Sequence, residues 1–255
     1  MTLKFACFDV VPMPVKLAAS PFAIRRVDIA FSRSSTNMKH EILGNPDYGQ
    51  LSVELGPGES FISEGGAMAW MSDRMELESR MMGGFIKSII RKFAGGESAF
   101  LVQYSHPTGG SVTFSPATPG TVLHRQLNGD SLILTKGAFL GCTSDINLSV
   151  KFGGWKSLFS GEGAFQVVCS GTGDLFFNAY GAVLEKEVNG ELTVDTSHVV
   201  AWEPTLDYRI GGMGGLKSTL LSGEGLVLNF SGTGKIYLQT RTLGGLAGWL
   251  SPYLH

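Results

Sequence analysis

Gly58-Glu59-Ser60-Phe61-Ile62-Ser63-Glu64-Gly65-Gly66-Ala67-Met68 and Gly129-Asp130-Ser131-Leu132-Ile133-Leu134-Thr135-Lys136-Gly137-Ala138-Phe139 are two versions of one phrase, 71 residues apart. The offset persists without a gap through Met75/Ile146, Leu77/Leu148 and Arg80/Lys151. A third version opens at Asn189-Gly190-Glu191, matching Asn128-Gly129-Asp130. Later phrases repeat too. Gly153-Gly154-Trp155-Lys156-Ser157 returns as Gly214-Gly215-Leu216-Lys217-Ser218, and more loosely as Gly83-Gly84-Phe85-Ile86-Lys87-Ser88. Ser170-Gly171-Thr172-Gly173 returns as Ser231-Gly232-Thr233-Gly234. Self-similarity at a long fixed period is the mark of a repeat architecture. Three units are read, at approximately 48–119, 120–180 and 181–241, followed by a C-terminal segment, 242–255.

Each unit reads as β. Met75/Leu77, Ile146/Leu148/Val150 and Leu206/Tyr208/Ile210 alternate with polar residues, as do Phe100/Val102/Tyr104 and Phe165/Val167/Cys169. That is the period of a half-buried strand. Pro57-Gly58, Asn128-Gly129, Asn189-Gly190 and the Gly-Thr-Gly pairs stand between such runs. Asn-Gly supplies the positive φ of type I′ turns, so these are expected to be hairpin tips between short strands. The expected fold is all-β: three repeated sandwich-like units in pseudo-threefold arrangement with a shared core.

Composition agrees. The 35 glycines in 255 residues are about twice the usual share of about 7%. With 10 prolines they stay below the level of low-complexity chains. Charged residues are only 16%, and a net charge of −2 argues against affinity won by neutralising many phosphates. Three cysteines without framework spacing exclude a disulfide scaffold. No apolar run is long enough to span a membrane. Residues 1–37 differ from the rest: Lys4, Lys16, Arg25, Arg26 and Arg33 against Asp9 and Asp28 give +3, leaving −5 for 38–255. Pro12, Pro14 and Pro21 interrupt this stretch, which has neither strand nor helix period. It reads as upstream sequence before a start at Met38, as a targeting segment, or as an ordered accessory strand. The single repeat domain is expected over 38–255.

The runs at 58–68 and 83–98, Gly-Thr-Gly at 171–173 and Leu243-Gly244-Gly245-Leu246-Ala247-Gly248-Trp249-Leu250 resemble the altered-inheritance-of-mitochondria (mitochondrial biogenesis) family, in its prokaryotic-type branch. The likeness covers Met38 to the C-terminus. It implies three β units similar to the trp RNA-binding attenuation protein, pseudo-threefold packing and oligomers. Fungal mitochondrial members are associated with the inner membrane and its organising complex. The family brings no catalytic residues to carry over.

The chain's own residues add no catalytic constellation. Gly232-Thr233-Gly234-Lys235 looks like a phosphate loop, but Asn229 and Ile236 stand where a P-loop needs Gly and Ser/Thr. A cupin-like metal site would need converging histidines, whereas His40, His106, His124, His198 and His255 lie far apart and do not recur between units. No Gly-x-Ser-x-Gly elbow occurs, leaving His106 or His198 as the general-base candidates. Catalytic, cofactor-binding and metal residues are therefore all expected to be none. Glu97, Glu162 and Glu224 repeat in equivalent places, either as a carboxylate ring near the pseudo-threefold axis or as solvated strand-start residues. Lys87, Lys156 and Lys217 repeat as well.

Two segments read as interaction surface. Phe85, Ile86, Ile89, Ile90 and Phe93 recur at helical spacing, with Lys87, Arg91 and Lys92 elsewhere on the turn. This short cationic amphipathic insert suits a membrane interface, a partner's groove, or the end of its own β core. The second segment holds Leu246, Trp249 and Leu250 on a C-terminal helix, facing the body, a symmetry mate or a membrane. The expected role is a non-enzymatic scaffold or membrane-peripheral assembly protein with protein partners or self-association. A small-ligand or RNA-binding β module is the alternative, and an unrecognised enzyme the third. A core of −5 lacks the basic stripe that RNA favours. The expected location is cytoplasmic and membrane-peripheral, or mitochondrial if residues 1–37 are a targeting segment.

Overall fold

Fifteen strands, one short α-helix and two single-turn 3-10 helices (Thr196–His198 and Ser251–Tyr253) account for the regular structure among the described residues of the computed structural model, which are 38–81, 100–135, 137–152, 165–211 and 226–254. The strands are β1 (Lys39–Leu43), β2 (Gln50–Leu55), β3 (Ser60–Glu64), β4 (Met68–Met71), β5 (Glu76–Met81), β6 (Phe100–Ser105), β7 (Gly110–Phe114) and β8 (Gly120–Thr135). They continue as β9 (Phe139–Thr143), β10 (Ile146–Phe152), β11 (Phe165–Tyr180), β12 (Val183–Asp195), β13 (Val199–Trp202), β14 (Leu206–Gly211) and β15 (Val227–Gln239). The helix α1 spans Leu243–Leu250. The all-β expectation and the C-terminal helix hold. The amphipathic insert, the repeated glutamates and the repeated lysines lie outside the described residues, as does 1–37.

The hairpin expectation is corrected. Asn128-Gly129 and Asn189-Gly190 lie inside β8 and β12, and the Gly-Thr-Gly pairs lie inside β11 and β15. β8 pairs antiparallel with β11 on both sides of this point, and β12 pairs with β15 from Val183↔Gln239 to Asp195↔Val227. The glycines supply positive φ to long strands that pass through them, without reversing the chain. Gly171 (φ +124°) and Gly232 (φ +122°) have a second reason to lack a side chain. A Cβ there would sit 2.8 Å from the carbonyl oxygens of Asp145 and Thr205 respectively.

In the first part of the chain the corresponding strands are broken. β2 pairs with β7 and β3 with β6. Pro57-Gly58, closed by the Glu59 N–H to Gly56 carbonyl bond, joins β2 to β3 across two different sheets. One sheet runs β1-β2-β7-β4, and the other follows β12-β15-β13-β8-β11-β9-β3-β6-β5, with β10 on β11 and β14 on β15.

Strand alternation distributes apolar residues to three clusters. Leu132 and Leu134 join Leu127, Phe139, Leu175 and Phe177, while Ile133 between them joins Trp202, Phe230 and Ile236. Phe176 turns the other way from Phe177, into a cluster with Leu51, Val53, Phe61, Phe114 and Val122. Both faces of β8 and β11 are thus covered, which explains why Leu132-Ile133-Leu134 and Leu175-Phe176-Phe177 read as continuous apolar runs. Burying each such side chain stabilises by about 1.5–3 kcal/mol. In β10 the alternation is visible residue by residue, with Ile146 buried, Asn147 exposed, Leu148 half-buried and Ser149 exposed.

Candidate functional site

A meeting of titratable groups around a buried carboxylate joins β1, β8 and β11. Pairing places His124 of β8 opposite Phe176 of β11, so Asp174 lies diagonally across on the same face. The Asp174 side chain is 0% exposed. His124 donates from Nε2 to its Oδ1 at 2.7 Å, and the Met38 backbone N–H donates to Oδ2 at 2.9 Å. The Asp174 N–H in turn donates to Thr143 Oγ1 at 3.1 Å. Burial by itself would raise the carboxyl's pKa; the His124 and Met38 hydrogen bonds and the histidine charges overcome it and hold it below the ordinary value.

His40 completes the group. Its Nδ1–H donates to the Met38 carbonyl at 2.8 Å, and its ring centroid lies 4.5 Å from that of His124 and 4.8 Å from that of Phe176. His124 stacks on Phe176 at 4.9 Å. Burial lowers the His40 pKa, and the neighbouring His124 adds to the lowering; the Met38 carbonyl bond and Asp174 oppose it. The arrangement fixes the start of β1 against β8 and β11 and orients an aspartate–histidine pair. Among the described residues, no hydroxyl or thiol is hydrogen-bonded to either ring, and no three metal-ligating side chains are grouped to hold an ion.

Sequence reading noted His40 and His124 only as scattered residues and passed over Asp174. One signal was present: the two Ser-Gly-Thr-Gly copies match, yet are followed by Asp174 in one and Lys235 in the other. Lys235, the residue that gave its stretch the look of a phosphate loop, donates from Nζ to Glu185 Oε1 at 2.7 Å, and this bond raises its pKa. Its backbone N–H donates to Glu203 Oε2 at 2.9 Å. Glu203 Oε1 accepts from both terminal nitrogens of Arg125 at 3.1 Å, and Arg125 also reaches Asp130 at 2.8 Å. This network ties β8, β15 and the residue after β13 together.

The two general-base candidates are both held by backbone. Buried His106 accepts at Nδ1 from Thr108 N–H (3.2 Å) and donates from Nε2 to the Asp73 carbonyl (3.0 Å). His198 donates from Nδ1 to the Gln239 carbonyl (2.7 Å).

Of the predicted interaction surface, Leu246, Trp249 and Leu250 are described. Thr242 caps α1, accepting from Gly245 N–H at 3.0 Å. No residue of the helix is buried. Leu243, Leu246, Trp249 (66% exposed), Tyr253 and Leu254 face solvent, and the Trp249 and Tyr253 rings lie 5.8 Å apart. Phe85, Ile86, Lys87, Ile89, Ile90, Arg91 and Phe93 lie outside the described residues, as do Glu97, Glu162 and Glu224.

Comparison with known proteins finds that residues 40–241 match the family model described as mitochondrial biogenesis AIM24. An uncharacterized protein of Streptococcus pyogenes serotype M6 is 30% identical over 213 residues, covering 80% of this chain and 86% of the relative. A crystal structure of a Streptococcus pyogenes protein superposes with a TM-score of 0.72 at 29% identity, over 86% of this chain and all of that one.

Proposed function

Because the chain belongs to the mitochondrial biogenesis AIM24 family, we propose that it is a non-enzymatic assembly protein that works at a membrane surface, presenting a β body through its C-terminal helix. The observation that carries this reading is the exposure of Leu243, Leu246, Trp249, Tyr253 and Leu254 on a capped helix and its tail with no buried residue. Residues 243–254 contain no charged side chain. An apolar segment that carries exposed Trp and Tyr suits the headgroup boundary, where such rings place an apolar body and a polar tip. No helix among the described residues is long and apolar enough to cross a membrane, which leaves surface contact as the mode offered by α1.

The body is proposed to be three units in pseudo-threefold arrangement. Supporting this are the pairings β2/β7 with β3/β6, β8 with β11, and β12 with β15, each flanked by a short strand on its return strand. The test is liposome flotation. Wild type is expected to float with the vesicles. Trp249→Glu, at a site that is exposed, is expected to lower binding about tenfold or more, since withdrawing one such ring forfeits about 1.5–3 kcal/mol. Failure of the wild type to float refutes the membrane role.

A further inference from the structure

β1 is thinly held by apolar contact. Its residues alternate between exposed and half-buried, with none buried, whereas its partner β2 sends Leu51, Val53 and Leu55 into the core. Among the described residues β1 ends its sheet and pairs with β2 alone. Met38, just ahead of it, is buried with Leu51 and Phe176, and Ile42 packs at the margin of that cluster. The remaining anchors are polar: the Met38 N–H on Asp174 and the His40 Nδ1–H on the Met38 carbonyl. An element with few buried apolar contacts opens locally at low cost, while the body stays folded.

Strand alternation sorts the charges around this anchor. Lys39 and Glu41 are exposed on the outer face, where Lys39 pairs with Glu54 of β2. His40 and Ile42 take the inner face. Opposite His40 on β2 stands Val53, with Leu51 and Leu55 on the same face. The charged groups that act on His40 are therefore His124 from β8 and Asp174 from β11. Phe176 of β11 is an apolar wall against both rings.

One carboxylate thus faces two imidazoles. Both of its oxygens already have a partner, Oδ1 in the His124 Nε2–H and Oδ2 in the Met38 N–H. With Nδ1–H committed to the Met38 carbonyl, a proton arriving at His40 goes to Nε2. The ring then carries a positive charge 4.5 Å from His124, which is hydrogen-bonded to the same carboxylate. A charge held out of water without a partner of its own is costly. Undocking the strand returns that charge to water.

We infer that His40 is a pH-sensitive release point: on taking up a proton in mildly acidic medium, it frees residues 38–43 from β2, β8 and β11 while the rest of the β body stays folded. At neutral pH the ring is uncharged and the segment is docked. In the opened segment His40 stands in water and has the ordinary pKa of about 6.5. In the docked segment burial, and after it His124, hold the pKa lower against the support of the Met38 carbonyl and Asp174. The open form therefore binds the proton more readily, and opening becomes up to about tenfold more favourable per pH unit below 6.5. This device stands apart from the membrane role of α1.

Hydrogen exchange on the full chain between pH 7.5 and 5, corrected for the intrinsic pH dependence of exchange, tests the inference. Amides of β1 are expected to lose up to about tenfold in protection per pH unit below 6.5, while those of β8 and β11 keep theirs. His40→Gln, which does not titrate, is expected to hold β1 protection constant over the same range. His198→Gln, at a histidine outside the cluster, is expected to leave the wild-type response. Flat β1 protection in the wild type overturns the inference. So does a loss in step with β8 and β11, which is unfolding of the whole body, and so does a response that survives His40→Gln. The wild type gives a reading that depends on no variant: its His40 ring signal is expected to titrate below 6.5, and a midpoint at or above that value overturns the inference. Liposome flotation at pH 7.5, where the segment is docked, reads the membrane role separately.

Discussion

Asp174 is the residue on which the junction of β1, β8 and β11 turns. Replacing it with Asn keeps the shape but changes the hydrogen-bonding capacity: one oxygen becomes an NH2, which cannot accept from both the His124 Nε2–H and the Met38 N–H. Leaving one of these buried donors unpaired costs about 1–3 kcal/mol. Asp174→Asn is therefore expected to lower Tm measurably, read by thermal melting. The pH dependence has a definite sign. His40 has a lowered pKa in the folded chain, so the unfolded chain takes up a proton first as pH falls through about 6.5. Stability attached to His40 is present above that pH and declines below it. Asp174, also lowered, adds its loss further down, below the ordinary carboxylate value. His40→Gln is expected to flatten the Tm profile between pH 7 and 5 in the sense that the variant loses less on acidification; an unchanged profile contradicts the assignment. None of this cluster was legible from spacing, because positions 40, 124 and 174 meet only through the pairing of β8 with β11 and the docking of β1.

At the scale of the element, alternation was legible and turn chemistry was not. The polar–apolar period marked β5, β10 and β14 because each lies at the side of its return strand with one face more covered than the other. Asn-Gly and Gly-Thr-Gly were misread as tips because a glycine specifies positive φ, which serves a reversal and a mid-strand kink equally. What decides between them is the partner strand. Asn128 faces Thr172 and Gly190 faces Gly232, so hydrogen bonding continues past the glycine. The Gly171 and Gly232 positions carry a prediction. Gly171→Ala adds a Cβ 2.8 Å from the Asp145 carbonyl oxygen at a φ of +124°, and is expected to destabilise by about 1–3 kcal/mol. Gly190→Ala, where nothing lies within 4 Å, carries only the φ penalty and is expected to cost less. Denaturant midpoints for the two variants compare them directly.

For the whole molecule, the all-β class was legible from the repeated phrase, and the C-terminal helix from Leu246, Trp249 and Leu250. The three apolar clusters were not, because Leu132, Ile133 and Leu134 reach different ones through strand alternation. The exposure of the helix was likewise not legible, because it depends on which other residues pack on it. The Met38–Asp174 hydrogen bond spans 136 positions of the chain. Contacts so remote in sequence pay their loop-closure entropy late, after the neighbouring strands have found each other. The bond therefore belongs to the last stage of assembly and is among the first broken when the chain opens. In kinetic terms, Asp174→Asn should accelerate unfolding while scarcely slowing refolding, giving a φ-value near zero. The buried carboxylate then acts as a latch whose measure is how long the native state lives, more than how fast it forms.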